Sequence, residues 1–322
     1  YLDSYGHGTH LAGIIAGKAS DVWDQYAHKS KDKFLGIAPE AENVSIKVGA
    51  YYGAVYVSQV IAAIDWVVDH QYSQGMNIRV LNLAYGTLPR QPYEVDPLAQ
   101  AVEKAWKAGI VVVVAAGNDG NGAELRNPAY DPYVIAVGSA QYGDYNTSSN
   151  ALVRYDRVSS FSNCGTDRNV DLVAPGKSIT SLRVPGSYAD DNYAQARVGA
   201  DYFLGSGTSQ AAAVVSGAVA VLLQKDEGLS PDDVKQLLMD NASPISGMSA
   251  ACQGAGVVDL AFATKNKLPR LNASPSYVDS NGSGSLELAR GNEHVTMDGI
   301  ALTGEQDIMG NPWIGFNEIV TN

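Results

Sequence analysis

Cysteine is nearly absent from this chain, basic residues are in deficit, and no long apolar run occurs. There are two cysteines among 322 residues, so no dense disulfide framework holds the fold, and Cys164 and Cys252 are left either to pair or to stand as two buried thiols. Lys and Arg number 22 against 34 Asp and Glu, a net charge of -12 that disfavours nucleic acid as a partner and favours solubility. The one basic cluster, Lys29 to Lys33, stands among Asp21, Asp24 and Asp32 and reads as a solvated loop. The apolar run Ile110 to Ala116 falls far short of the ~20 residues a membrane-spanning helix needs, so no span is expected. Tandem repeats and extended low-complexity tracts are also missing. Tyr1 is preceded by no charged or apolar leader, and a signal or pro-segment is expected to be absent or already removed.

What remains is a globular composition, with 45% apolar residues, only 17% charged ones and 33 glycines, which implies a large core joined by many tight turns. Along the chain, Leu11, Ile14 and Ile15 fall at helical spacing after His7. The alternation Val44, Ile46, Val48 predicts a strand, and Val57, Val60, Ile61, Ile64, Val67 and Val68 make a helical stripe. Arg79 to Ala84 predicts a buried strand, Leu98 to Trp106 a helix, and Ile110 to Ala115 a strand covered on both faces. Further strands are expected at Tyr133 to Val137 and Val170 to Ala174. Ser209 opens a small-residue helix running to Leu223, and Ser230-Pro231-Asp232-Asp233 starts another. Alternating strands and helices of this kind predict an α/β fold, a mostly parallel sheet flanked by helices on both faces. After about Ala263 the chain turns polar, with Gly282 to Ser285 reading as flexible, which divides it into residues 1–262 and a C-terminal extension or linker over 263–322.

Three separated blocks carry the chemistry: Gly6-His7-Gly8-Thr9-His10, Ala116-Gly117-Asn118 and Gly207-Thr208-Ser209. An imidazole can take a proton, a hydroxyl at a helix start can attack an acyl carbon, and a carboxamide after a strand can donate to the oxyanion that forms. Alone, Ser209 would read as a helix cap, Asn118 with Asp119-Gly120 as a turn, and His7 with His10 as a metal pair short of a third ligand. Their combination points instead to acyl transfer. His10 reads as structural, and His28, His70 and His294 as surface or loop residues. The run Gly207 to Ala211 lacks the second Gly of a lipase-type nucleophile elbow, and Gly6-His7-Gly8 lacks the third Gly of a dinucleotide fingerprint.

These blocks, in this order, resemble those of the subtilisin-like serine proteases. The likeness extends to Leu11-Ala12-Gly13, Gly36-Ile37-Ala38-Pro39, Phe161-Ser162-Asn163 and Asp171 to Gly176, covering roughly residues 3–262. The resemblance implies a three-layer subtilisin-like fold and a secreted serine endopeptidase in which His7 is the base, Ser209 the nucleophile and Asn118 the oxyanion donor. It places the substrate cleft along Asn82, Leu83, Ala84, Tyr85 and Gly86 on one side and Ala115, Ala116 and Gly117 on the other, with a peptide added as an extra strand. The small residues at 115–117 leave room for an apolar or aromatic substrate side chain.

Gln210 stands where the family has Met and Ala213 where it has Pro, and neither change should disturb Ser209. The family's third catalytic group, a carboxylate on a strand well upstream of the histidine, has no counterpart. Asp3 matches an acidic position just ahead of the histidine block rather than that carboxylate. The expectation is a fragment lacking the strand that carries the acid, whose loss costs on the order of 10⁴ in turnover. The alternative is a subtilase-like domain that binds peptides without cleaving them. No cofactor is expected for the chemistry, the family leaves room for structural calcium with no regular ligand spacing in any loop here, the partner is a peptide or protein substrate, and the chain is expected to be monomeric.

Overall fold

A computed structural model describes residues 3–18, 34–142 and 155–264, and beyond them 273, 276–292, 294, 296–297 and 300–301. The Lys29–Lys33 cluster, His28, nearly all of Lys265 to Pro275, and Leu302 to Asn322 lie outside the described residues.

The helices are α1 (His7–Ala16), α2 (Val57–Asp69), α3 (Pro97–Lys107), α4 (Tyr188–Asn192), α5 (Thr208–Lys225), α6 (Pro231–Asp240), α7 (Ala250–Gln253) and α8 (Leu286–Arg290). The strands are β1 (Val80–Leu83), β2 (Val111–Ala115), β3 (Ile135–Tyr142), β4 (Tyr155–Val158), β5 (Leu172–Pro175), β6 (Ile179–Leu182), β7 (Arg197–Val198), β8 (Tyr202–Gly205), β9 (Thr296–Met297) and β10 (Ile300–Ala301). β1, β2, β3 and β5 form the parallel core of the main sheet, and β4 adds antiparallel to the far end of β3. Every residue of β2 is buried, as its unbroken valine run demands, with α5 laid along β1, β2, β3 and β5 and with α3 also packed on β2. A second, antiparallel sheet of β6, β8 and β7, not foreseen in the sequence, packs through β6 on α1.

Local chemistry sets the helix starts. Asp96 caps α3 by accepting from Leu98 and Ala99 N–H groups, with Pro97 in the first turn. Ser230 and Asp233 form a reciprocal capping box at α6. Cys164 and Cys252, left open by the sequence, form a disulfide.

Two expected strands come out differently. The segment Val44 to Val48 forms no strand, and Val44 and Ile46 are exposed. Alternation supplies a face, but a strand needs a neighbour, and none lies beside it among the described residues. The expected buried strand at Arg79–Ala84 is the shorter β1, and all four of its residues are only half-buried. β1 pairs with β2 alone among the described strands, and its other edge faces a groove of about 640 Å³ lined by His7 and Leu11 of α1, Val44 and Ile46, Asn82, and Ser216 of α5.

The loop entering β3 is held by two cations, buried Lys235 and half-buried Arg168. Lys235 donates to the carbonyls of Pro132 (2.7 Å) and Val134 (2.9 Å), and Arg168 to those of Ala129 and Val134, while both pair with Asp171.

Candidate active site

Each proposed catalytic residue sits where one element ends and another begins. Asn118 follows β2 by three residues, across Gly117, whose φ of 119° suits glycine. His7 is the first residue of α1 and Ser209 the second of α5. The initial turns of α1 and α5 meet over Gly205, where a Cβ would lie 2.8 Å from the His10 ring and 2.6 Å from the Gln210 amide. That contact puts the N-terminal ends of both helices together, and the positive end of α5 favours developing negative charge beside Ser209.

Asn118 is exposed at the mouth of this region and its carboxamide is oriented. The Thr208 backbone N–H donates to Asn118 Oδ1 at 2.8 Å, and the Thr208 hydroxyl lies 3.2 Å from the same oxygen. That hydroxyl also accepts from Gly117 N–H at 3.2 Å, so Thr208 locks the end of β2 to the head of α5. With Oδ1 engaged, Nδ2 is the end left to donate.

His7 is half-buried, and its imidazole is pushed down to about 4, first by loss of solvation, then by His10, with Asp3 opposing. The ring is therefore neutral at pH 7, and a nitrogen is open to accept a proton. Asp3 does not orient it by hydrogen bonding. Its two carboxylate oxygens accept from Gly6 N–H (2.8 Å) and Thr9 N–H (2.7 Å), which ties down the start of α1. His10 is buried with Nε2 3.1 Å from the Phe203 carbonyl and its own carbonyl accepting from Ser181, a structural role as expected. His70 stacks on Trp66 at the end of α2, and His294 lies 3.7 Å from Glu287.

The expected cleft residues form two groups. Asn82, Leu83, Ala84 and Tyr85 line the groove beside β1, and the Asn82 side-chain oxygen accepts from Ser216 at 2.9 Å. Ala115, Ala116 and Gly117 close β2 and are buried. Gly86 and Gly117 flank Arg126: a Cβ on either would come within 2.7 Å of its Cβ or Cγ. The Arg126 guanidinium makes a bidentate pair with Asp119 at 2.7 and 2.6 Å. Neither Arg126 nor Thr208 was singled out in the sequence. The Thr208 role was signalled only by its place inside the Gly-Thr-Ser block. Among the described residues, no group of three or more His, Cys, Asp or Glu side chains is arranged to hold a metal ion.

The sequence profile of the subtilase family matches residues 1–277, most of the chain. The chain belongs to the subtilase family. This subtilase is 36% identical over 265 residues to serine protease AprX of Bacillus subtilis (strain 168), covering 80% of this chain and 57% of AprX. It is 33% identical over 245 residues to subtilisin-like protease 2 of Trichophyton equinum, covering 76% of this chain and 47% of that protein. The chain thus spans about half the length of these relatives. Among solved structures it is similar to a cold adapted subtilisin-like serine proteinase, with TM-score 0.55 and 31% identity over 80% of this chain and 74% of that one. It is also similar to Sphericase, with TM-score 0.62 and 25% identity over 80% and 78% of the two chains. The three-layer subtilisin-like architecture expected from the sequence is the observed one, a parallel-rich sheet between helices.

Proposed function

We propose that this subtilase is a serine endopeptidase, a hydrolase acting on protein or peptide substrates through an acyl-enzyme on Ser209. Ser209 Oγ attacks the scissile carbonyl carbon as His7 takes the hydroxyl proton, and Asn118 Nδ2 donates to the oxyanion. Collapse expels the amine with the proton from His7, and water, activated by the same imidazole, releases the acid and restores Ser209. The observation that carries this reading is the clamp of Thr208 on Asn118 Oδ1, which directs a hydrogen-bond donor from the residue next to the proposed nucleophile.

A neutral imidazole held near pH 4 is a weak base at neutral pH, and a carboxylate beside it would raise its affinity for the proton. We propose that this carboxylate is carried by a strand seated in the groove between β1 and residues 44–48, where the edge of β1 that is unpaired among the described residues offers hydrogen bonds and His7 lies in the wall. The substrate cleft in this reading runs between 82–86 and 115–117, and the small residues at 115–117 leave its first pocket room for an apolar or aromatic side chain. A strict preference for basic side chains in peptide-library cleavage contradicts that assignment.

The reading further includes secretion, which the disulfide supports because such bonds persist in oxidising compartments. It also includes a monomer that uses no nucleic acid and no cofactor in its chemistry, with residues from 263 onward as a C-terminal extension. No helix among the described residues is long and apolar enough to cross a membrane. The decisive experiment treats the folded full-length protein with an organophosphonate probe. Modification of Ser209, lost in Ser209→Ala, is expected. Folded protein that stays unlabelled while binding peptides would instead be a peptide-binding domain.

A further inference from the structure

The segment from Ser280 to Gly291 does not hang free as its glycine and serine content suggests. Ser280 N–H donates to the buried Glu103 carboxylate at 2.8 Å, its hydroxyl donates to the Asp96 carbonyl at 2.9 Å, and Asn281 and Gly284 N–H groups donate to the carbonyls of Glu94 and Val95. Gln91 and Ser285 form a reciprocal pair, the Gln91 amide donating to the Ser285 carbonyl and accepting from Ser285 N–H, each at 3.0 Å. The segment then turns through α8 toward the cleft.

There the Ala289 carbonyl, fully buried, accepts from the Thr87 hydroxyl at 2.6 Å and from Asn127 Nδ2 at 3.3 Å. These two partners lie directly behind the cleft. Thr87 follows Gly86, and Thr87 and Asn127 exchange both backbone hydrogen bonds, at 3.0 and 2.8 Å. Asn127 follows Arg126, whose N–H donates to the Ala116 carbonyl at 3.0 Å. One C-terminal carbonyl therefore joins the segment behind 84–86 to the segment paired with 115–117. Gly291 completes the seat, since a Cβ there would fall 2.5 Å from the Leu88 carbonyl oxygen.

We infer that the C-terminal segment is a brace that fixes the spacing of the two substrate-binding walls, with Thr87 and Asn127 as positioning residues acting through Gly86 and Arg126. The inference rests on reading 84–86 and 115–117 as the cleft. Losing one buried hydrogen bond at such a joint loosens the wall about fivefold to tenfold.

The test compares Thr87→Val, Thr87→Ser and Gln91→Ala in the full-length protein, each checked for folding by its thermal transition. Amide hydrogen exchange over residues 84–88 reads the brace without reference to catalysis, and peptide cleavage reads its consequence. Thr87→Val is expected to speed exchange over 84–88 and to raise KM about fivefold to tenfold with kcat within about twofold. Thr87→Ser keeps the donor and should restore both. Gln91→Ala releases the brace away from the wall and should move both readouts in the same direction, which preserves the test if Thr87→Val does not fold. Unchanged exchange in folded variants overturns the brace, and faster exchange with unchanged KM overturns its role in binding. Wild-type protein that cleaves no peptide overturns the peptidase reading, while exchange over 84–88 in the variants still decides the brace.

Discussion

Thr208 holds Asn118 by its side-chain oxygen, with 2.8 Å between the Thr208 backbone nitrogen and Asn118 Oδ1. The clamp runs from the first residue of α5 to the loop after β2, so the orientation of the carboxamide is fixed by the packing of a helix on a sheet. A flexible loop amide would spend part of its hydrogen-bonding capacity on solvent. This one is held in place, as the proposed oxyanion role requires, and preorganised donors of that kind gain most of their effect there.

Replacing Asn118 by Ala should lower kcat by roughly 10²–10³ with KM little changed, because the donor is used mainly when charge appears on oxygen. Steady-state kinetics on a chromogenic peptide measures this. A loss confined to KM would show that Asn118 serves ground-state binding.

The titration of His7 gives a second expectation. Its ring is pushed down to about 4 by burial, so it should stay neutral throughout neutral pH and take up a proton only as the pH falls toward that value. The acid limb of kcat/KM for residues 1–322 alone should lie near pH 4. In protein that carries the proposed carboxylate strand, the limb should move upward. Stability follows the same sign. The unfolded chain binds this proton near 6.5 and the folded one near 4, so stability is lost as pH falls through that window. Histidine NMR titration of both forms is the measurement, and a limb that does not shift argues against a carboxylate in the groove.

The family and the candidate site could be read from the sequence because the three blocks each carry a local signal, and their order matches one family. The helices α1, α2, α3, α5 and α6 were legible from apolar spacing and caps. The strand expected at 44–48 was not formed, because alternation is local while pairing depends on what lies alongside. The brace was hidden for a different reason. Gly282 and Gly284 read as linker residues, yet a Cβ on Gly282 would meet the Gln100 side chain at 2.4 Å and one on Gly284 the Val95 carbonyl oxygen at 2.7 Å. A glycine kept for close approach looks the same in a sequence as one kept for flexibility.

Asp131 is fully buried, with Oδ1 accepting from Tyr133 N–H at 2.9 Å and Oδ2 without a hydrogen-bond partner. Burial pushes its carboxyl up to about 7. The folded protein therefore holds a proton here that the unfolded chain releases near 3.8, and stability is lost as pH rises toward and through 7. Asp131→Asn should raise unfolding stability at pH 8 by on the order of 2–4 kcal/mol and leave it nearly unchanged at pH 4. Urea denaturation at both pH values tests this, and an equal effect at the two would contradict the titration.

The disulfide between Cys164 and Cys252 closes a span of 88 residues. Cys252→Ser should cost about 2–5 kcal/mol of stability, mainly by freeing the unfolded chain. Denaturation of the wild-type protein with and without a thiol reductant should reproduce that difference.

Lys235 and Arg168 have a consequence for the loop that leads into β3. Its carbonyl oxygens are already engaged by ammonium and guanidinium groups that belong to the polypeptide. Unlike a bound ion, such groups cannot be diluted away or stripped by a chelator. This corner of the molecule should keep its shape in EDTA and yield when Lys235 or Arg168 is replaced.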